Sequence, residues 1–218
     1  MTRNFRPDRA QLPALIGRMR QGVAHSADLG SLTTLFYGGA DPSQLQSLLS
    51  DENPRVLRDA AFILSELGGS GWPFKKEAER LLDHPDARVR YWALESLLAS
   101  TGEGDEAVIA KCLLRLADED DDVRYKAREF AARKRLPELN AGLTLLREAI
   151  ASSPTTHPRL EEAARSPDAA VRAEALAAAA IIFRCDEAAA AEAAEADDEL
   201  GELARQCRKV RSPARARR

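Results

Sequence analysis

The stretch DHPDARVRYWALESL, residues 83–97, decides the fold. It reads as an acidic turn followed at once by a helix, and the chain repeats it. With Val89 as zero, Pro85 stands at −4, Asp86 at −3, Arg90 at +1, Ala93 at +4 and Leu94 at +5. Leu57 and Arg58, with Ala61 and Phe62, have the same form one copy earlier, with Leu for Val and Pro54 for the Asp. Val123 and Arg124, with Ala127, follow Val89 at nearly the same interval. Val171 and Arg172, with Ala175 and Leu176, come after a gap longer by about one helix. Copies at near-constant spacing mark an array of helical hairpins, none of which can bury its apolar face without its neighbours.

Each position of the motif has a physical reason. Asp at −3 opens the helix, where a carboxylate complements exposed N–H groups and the positive end of the dipole. It also stands four residues before the Arg, which predicts the pairs Asp86–Arg90, Asp120–Arg124 and Asp168–Arg172. Such pairs contribute only about 0.2–0.5 kcal/mol each, so their expected value is a repeated turn geometry. Ala at +4 admits a close helix neighbour, and Val at zero fills the core.

Composition agrees with closely packed helices. Hydrophobic residues make up 44% of the 218 and aromatics 5%, so Leu and Ala must fill the core. No apolar run approaches the ~18 residues of a membrane span, and the opening MTRNFRPDRA lacks the apolar stretch of a secretory signal. Net charge is −3, yet Arg205, Arg208, Lys209, Arg211, Arg215, Arg217 and Arg218 put seven positive charges and no acid into 205–218. Residues 1–204 therefore carry −10. That balance repels phosphate backbones and attracts a basic protein; nucleic acid is left only to the tail. Cys112, Cys185 and Cys207 are odd in number and without CxxC spacing, as reduced cytoplasmic thiols would be.

Along the chain, residues 1–50 read as an atypical N-terminal cap. A short helix follows Pro13, a second spans Asp28 to Tyr37 with Asp28 as its cap, and a third follows Asp41-Pro42. Residues 51–183 hold the repeats, with helices opening at Asn53-Pro54, Trp72-Pro73, Asp86, Asp105 and Asp122. The long gap between Val123 and Val171 requires an extra helix near 137–151, with Leu139, Leu143, Leu146 and Ile150 as its stripe and a change in superhelical path. Ser152 to Pro158 is a loop, His157 to Arg165 an outer helix and Asp168 to Phe183 the last inner helix. The Ala/Glu-rich 184–204 reads as a capping helix that Gly201 weakens, and 205–218 as a mobile basic tail, making one domain of 1–204.

DHPDARVRYWAL at 83–94, DEDDDVRYKAR at 118–128 and SPDAAVRAEAL at 166–176 resemble the HEAT-repeat family in its short bacterial form. The resemblance covers roughly residues 43–183. It implies an all-α fold, a right-handed α-α superhelix of about 12 helices, with a stacked Asp/Arg ladder and inner helices lining a concave surface. Core positions 0, +4, +5 and +8 then leave +2, +3 and +6 facing the groove. In the second and third copies these are Tyr91, Trp92, Glu95 and Tyr125, Lys126, Glu129, which are the expected partner-binding residues.

Other chemistry is weakly represented. Asp118 to Asp122 lacks the glycine and terminal Glu of a calcium loop and reads as a capping turn. His25, His84 and His157 lie far apart, and no His/Cys/Asp set has ligand or catalytic spacing, so neither metal nor cofactor is expected. Trp72-Pro73-Phe74 is expected to seal two repeats. The resemblance implies a non-enzymatic protein-binding scaffold, and members of this size include immunity proteins that neutralise a cognate basic toxin. It also admits DNA glycosylases of the alkylation-repair type, with Trp92, Glu95 and Glu129 in the active roles, which the −10 charge opposes. An adaptor of a maturation or lyase complex is the third reading.

Overall fold

The computed structural model describes residues 8–151 and 160–211, with side chains described outside 149–161 and 211. Among the described residues the chain forms thirteen α-helices and no strand. It divides into two compact units, Met1–Ser100 and Thr101–Arg218. The expected loop at 152–158, His157 and the tail from 212 onward lie outside the described residues.

The first unit contains α1 (Leu12–Arg20), α2 (Ser26–Tyr37), α3 (Pro42–Leu48), α4 (Pro54–Glu66), α5 (Lys75–Leu81) and α6 (Ala87–Ser100). Helices α2, α4 and α6 pack side by side in a row, and α1, α3 and α5 each pair with the row member that follows. The core between them is Leu32, Leu45, Leu48, Ile63, Leu64, Leu81 and Leu94, all fully buried or nearly so. Burying each such side chain contributes about 1.5–3 kcal/mol. His25 caps α2 and Asp28 sits at its third position, accepting from the His25 backbone N–H at 3.1 Å. The helix therefore starts earlier than Asp28, and that carboxylate closes a capping box. Gly68-Gly69 follows the end of α4 with Gly68 at φ +52°, a conformation a side chain would strain. Residues Gly68–Phe74 then form a 3-10 segment, so α5 starts after Trp72-Pro73 and not at it.

The structure also moves the first repeat by one residue. Asn53 caps α4 by accepting from the Arg55 backbone N–H at 3.0 Å, as Asp86 accepts from the Arg88 N–H at 2.9 Å ahead of α6. Counted from those caps, Val56 is the zero position equivalent to Val89, and both are buried. Leu57 thus takes the place of the Arg at +1. Arg58, Asp59 and Phe62 take +2, +3 and +6.

The second unit contains α7 (Glu106–Leu114), α8 (Asp121–Arg133), α9 (Leu136–Ala151), α10 (Leu160–Ala164), α11 (Ala169–Cys185), α12 (Glu187–Ala193) and α13 (Glu199–Arg211). The extra helix is α9, with Leu139, Leu143 and Leu146 buried. It lies on α7 and α11, closest at Gly142, where a Cβ would stand 2.5 Å from Ile109 Cγ2. Alanine makes the long helix α11 central: Ala173, Ala175, Ala177, Ala179 and Ala180 are all buried, so neighbours approach from several sides. Helix α13 folds back onto α8 and α11. Gly201 is required there, since a Cβ would collide with the Ala196 carbonyl oxygen. It permits the C-terminal packing instead of weakening it. Helix continues through Arg205, Arg208 and Lys209 because Leu203, Ala204 and Cys207 are buried beneath them.

Candidate functional site

The recurring Asp and Arg work on the same turn by separate routes. Asp120 accepts from the N–H groups of Asp122 and Val123 at 3.0 and 3.1 Å, and Asp168 from those of Ala170 and Val171 at 2.9 and 3.4 Å. The arginines reach back across the turn. Arg90 Nη1 donates to the carbonyls of His84 and Pro85 at 2.9 and 3.0 Å. Arg124 Nη1 does so to Asp118 and Glu119 at 2.7 and 3.0 Å, and Arg172 Nη1 to Ser166 at 2.6 Å. Backbone carbonyls of the turn, five and six residues upstream, are thereby satisfied. The Asp86 carboxylate also accepts from Arg58 at 2.5 and 2.8 Å, tying α6 to α4.

Tyr91, Trp92 and Glu95 project from α6, all partly exposed. Trp92 meets Phe62 of α4 edge to face, with ring centroids 5.6 Å apart and planes at 68°. These rings floor a cleft of about 390 Å³ along α2, α4 and α6, with Leu29 and Gly30 on one wall and Asp59 and Glu66 on the rim. Asp59 and Glu66 make no hydrogen bond or ion pair among the described residues. Burial pushes the Asp59 carboxyl above its ordinary value, against the opposing pull of Arg55 and Arg58. With Leu57 as zero, Asp59 and Phe62 fall outside the +3 and +6 positions that mark the groove in the other copies. Aligning the caps Asn53 and Asp86 was the signal that would have placed them at +3 and +6.

The third copy differs. Tyr125 is 48% exposed, as its +2 position predicts, but Lys126 is only 6% exposed. The +3 position of Lys126 predicts a side chain facing the groove; its ammonium lies 2.5 Å from Glu129, which also accepts from Arg133 at 2.8 Å. Burial alone would raise the Glu129 carboxyl, but these two donors hold it below its ordinary value. Helix α13 covers the next turns of α8. Arg124 lies 3.3 Å from Glu199, Arg128 2.5 Å from Glu202, and Gln206 Nε2 donates to the Tyr125 carbonyl at 3.4 Å. Between α8 and α13 is a charged cleft of about 620 Å³, where six carboxylates and the cations Arg124, Arg128, Arg205 and Lys209 line the space around Tyr125.

The negative charge is unevenly placed. Residues 1–100 carry twelve acids and twelve bases, so the −10 belongs to residues 101–204. The exposed Asp121, Asp122, Asp186, Glu187, Glu192, Glu195 and Asp197 bring much of it to the surface. Trp72 is 64% exposed with the Lys75 ammonium 5.8 Å over its ring, while Phe74 is buried. Phe74 therefore does the sealing expected of the whole WPF segment. Among the described residues no group of three or more His, Cys, Asp or Glu is arranged to hold a metal ion, and no helix is long and apolar enough to cross a membrane. A sequence model of HEAT repeats matches residues 42–132. No curated protein matches the chain.

Proposed function

We propose that this chain, whose residues 42–132 match HEAT repeats, an all-helical scaffold of a kind often used in protein interaction, binds a basic partner protein and catalyses no reaction. The observation that carries this reading is the exposed Tyr125 in the cleft between α8 and α13, with the exposed carboxylates of Asp122 and Asp197 in the same lining. Aromatic rings supply large apolar contact with a polar edge, and flanking carboxylates steer a positively charged surface toward them. Tyr91, Trp92 and Glu95 extend the same chemistry onto the first unit. The expected activity is stoichiometric neutralisation, with the partner a basic toxin held inactive by an immunity protein of cytoplasmic type.

Affinity purification of the full chain, followed by measured affinity for the recovered protein, tests the reading. A basic partner is expected, with binding weakened by salt and by the Tyr91→Ala/Tyr125→Ala double variant. Recovery of no basic protein, or an affinity indifferent to both salt and the double variant, overturns it.

A further inference from the structure

The cleft along α2, α4 and α6 is lined by Leu29, Asp59, Phe62, Glu66 and Trp92. Asp59, Phe62 and Glu66 stand at successive turns of α4, an acid, an aromatic ring and an acid on one face. Trp92 occupies on α6 the position that Asp59 occupies on α4. Both side chains line the same cleft of about 390 Å³, a space large enough to admit a flat group beside ring and carboxylate. Gly30 borders the opening, and a Cβ there would meet nothing within 4 Å. A glycine inside a helix costs about 0.5–1 kcal/mol relative to alanine, and no packing contact here requires it.

Building on the proposed scaffold function, we infer that this cleft receives an arginine side chain of the basic partner, its guanidinium between the Trp92 ring and the Asp59 carboxylate. Arginine fits where lysine does not. Its planar, weakly hydrated head stacks on an indole and gives two parallel N–H donors to one carboxylate. Its aliphatic stem lies along Phe62 and Leu29. Glu66, two turns along α4 from Asp59, lies too far to share the same head and draws a second basic residue of the partner. Asp59 already bears the cost of burial without an ion-pair partner, so an arriving cation gains a carboxylate that water solvates poorly.

The test uses the isotopically labelled full chain with N-acetyl-arginine-N-methylamide as probe and its citrulline analogue as the neutral control. The arginine probe shifts the Trp92 indole and the Asp59 and Phe62 amide resonances, and the citrulline probe does not. The Asp59→Asn/Glu66→Gln variant loses that response while melting no lower than the parent. With the recovered partner, the same variant binds about tenfold or more weakly. Equal shifts with citrulline, shifts confined to residues 101–218, or unchanged partner affinity in the variant overturn the inference. The last of these leaves the scaffold reading standing; that reading fails when the parent chain binds no basic protein, or binds it with an affinity indifferent to salt and to the Tyr91→Ala/Tyr125→Ala variant.

Discussion

The two units use one motif and leave different things free. In residues 1–100 the row α2, α4, α6 keeps +3 and +6 open, and Asp59, Phe62 and Trp92 meet there as an uncovered cleft. In residues 101–218 the same positions are consumed by packing. Lys126 is drawn into an ion pair with Glu129, Glu174 is bound by Arg147 at 2.7 Å, and Ala177 is buried. The pair on α8 is made within that helix, whereas Arg147 of the extra helix α9 reaches Glu174, and α9 and the returning α13 both pack against α11. A regular stretch of repeat exposes its free positions; an irregular one spends them on stability. Among the described residues of the second unit, the exposed carboxylates of Asp121, Asp122 and Asp197 stand near the N-terminal ends of α8 and α13.

The largest expected effects test whether packing closes the second unit. Gly201→Ala puts a methyl group against the Ala196 carbonyl and is expected to cost about 1–3 kcal/mol. Hydrogen exchange should then show α13 opening ahead of the rest of the chain. In the first unit, Gly30→Ala has the opposite sign and raises stability by about 0.5–1 kcal/mol, read from denaturant unfolding, because the new methyl meets open space.

Two smaller effects follow from charge. Asp59 has its folded pKa raised by burial, so its ionised form is disfavoured in the folded state at pH above the ordinary 3.8. Asp59→Asn should therefore stabilise the chain at neutral pH, with the gain vanishing in acid, where the parent carboxyl is protonated too. Asp28 is the reverse case. Hydrogen bonds from Arg18 and the His25 N–H hold its pKa to about 2, so its contribution is present above 3.8 and lost as pH falls through about 2. Asp28→Asn should flatten that part of the acid unfolding curve. A residue kept at a stability cost, as Asp59 is, differs in kind from one that supports its own helix start.

The scaffold was legible because it repeats. Cap, Val and Ala recur at fixed offsets, and three copies fixed the helix phases of α6, α8 and α11 without any knowledge of contacts. The extra helix could be inferred because a surplus stretch carrying leucines at helical spacing has few other uses. The cleft was not legible, because the copy that supplies Asp59 and Phe62 has Leu57 where the others have Arg. Matching on the Arg of Arg58 then slipped the register by one, and one residue on a helix turns the exposed face by about 100°. Lys126 failed for another reason: the offset of +3 that leaves Trp92 partly exposed on α6 leaves its ammonium folded against Glu129 on α8. The path of α13 rests on Gly201, whose role as a point of close approach is invisible until Ala196 is placed beside it.

The most direct measurement is a hydrogen-exchange footprint of the chain bound to its basic partner. Protection is expected on α2, α4 and α6 around Asp59 and Trp92, and at the Tyr125 cleft between α8 and α13. Protection confined to α1, α3 and α5, with those two clefts unchanged, would contradict a partner held by aromatic and acidic side chains at the open positions of the repeat.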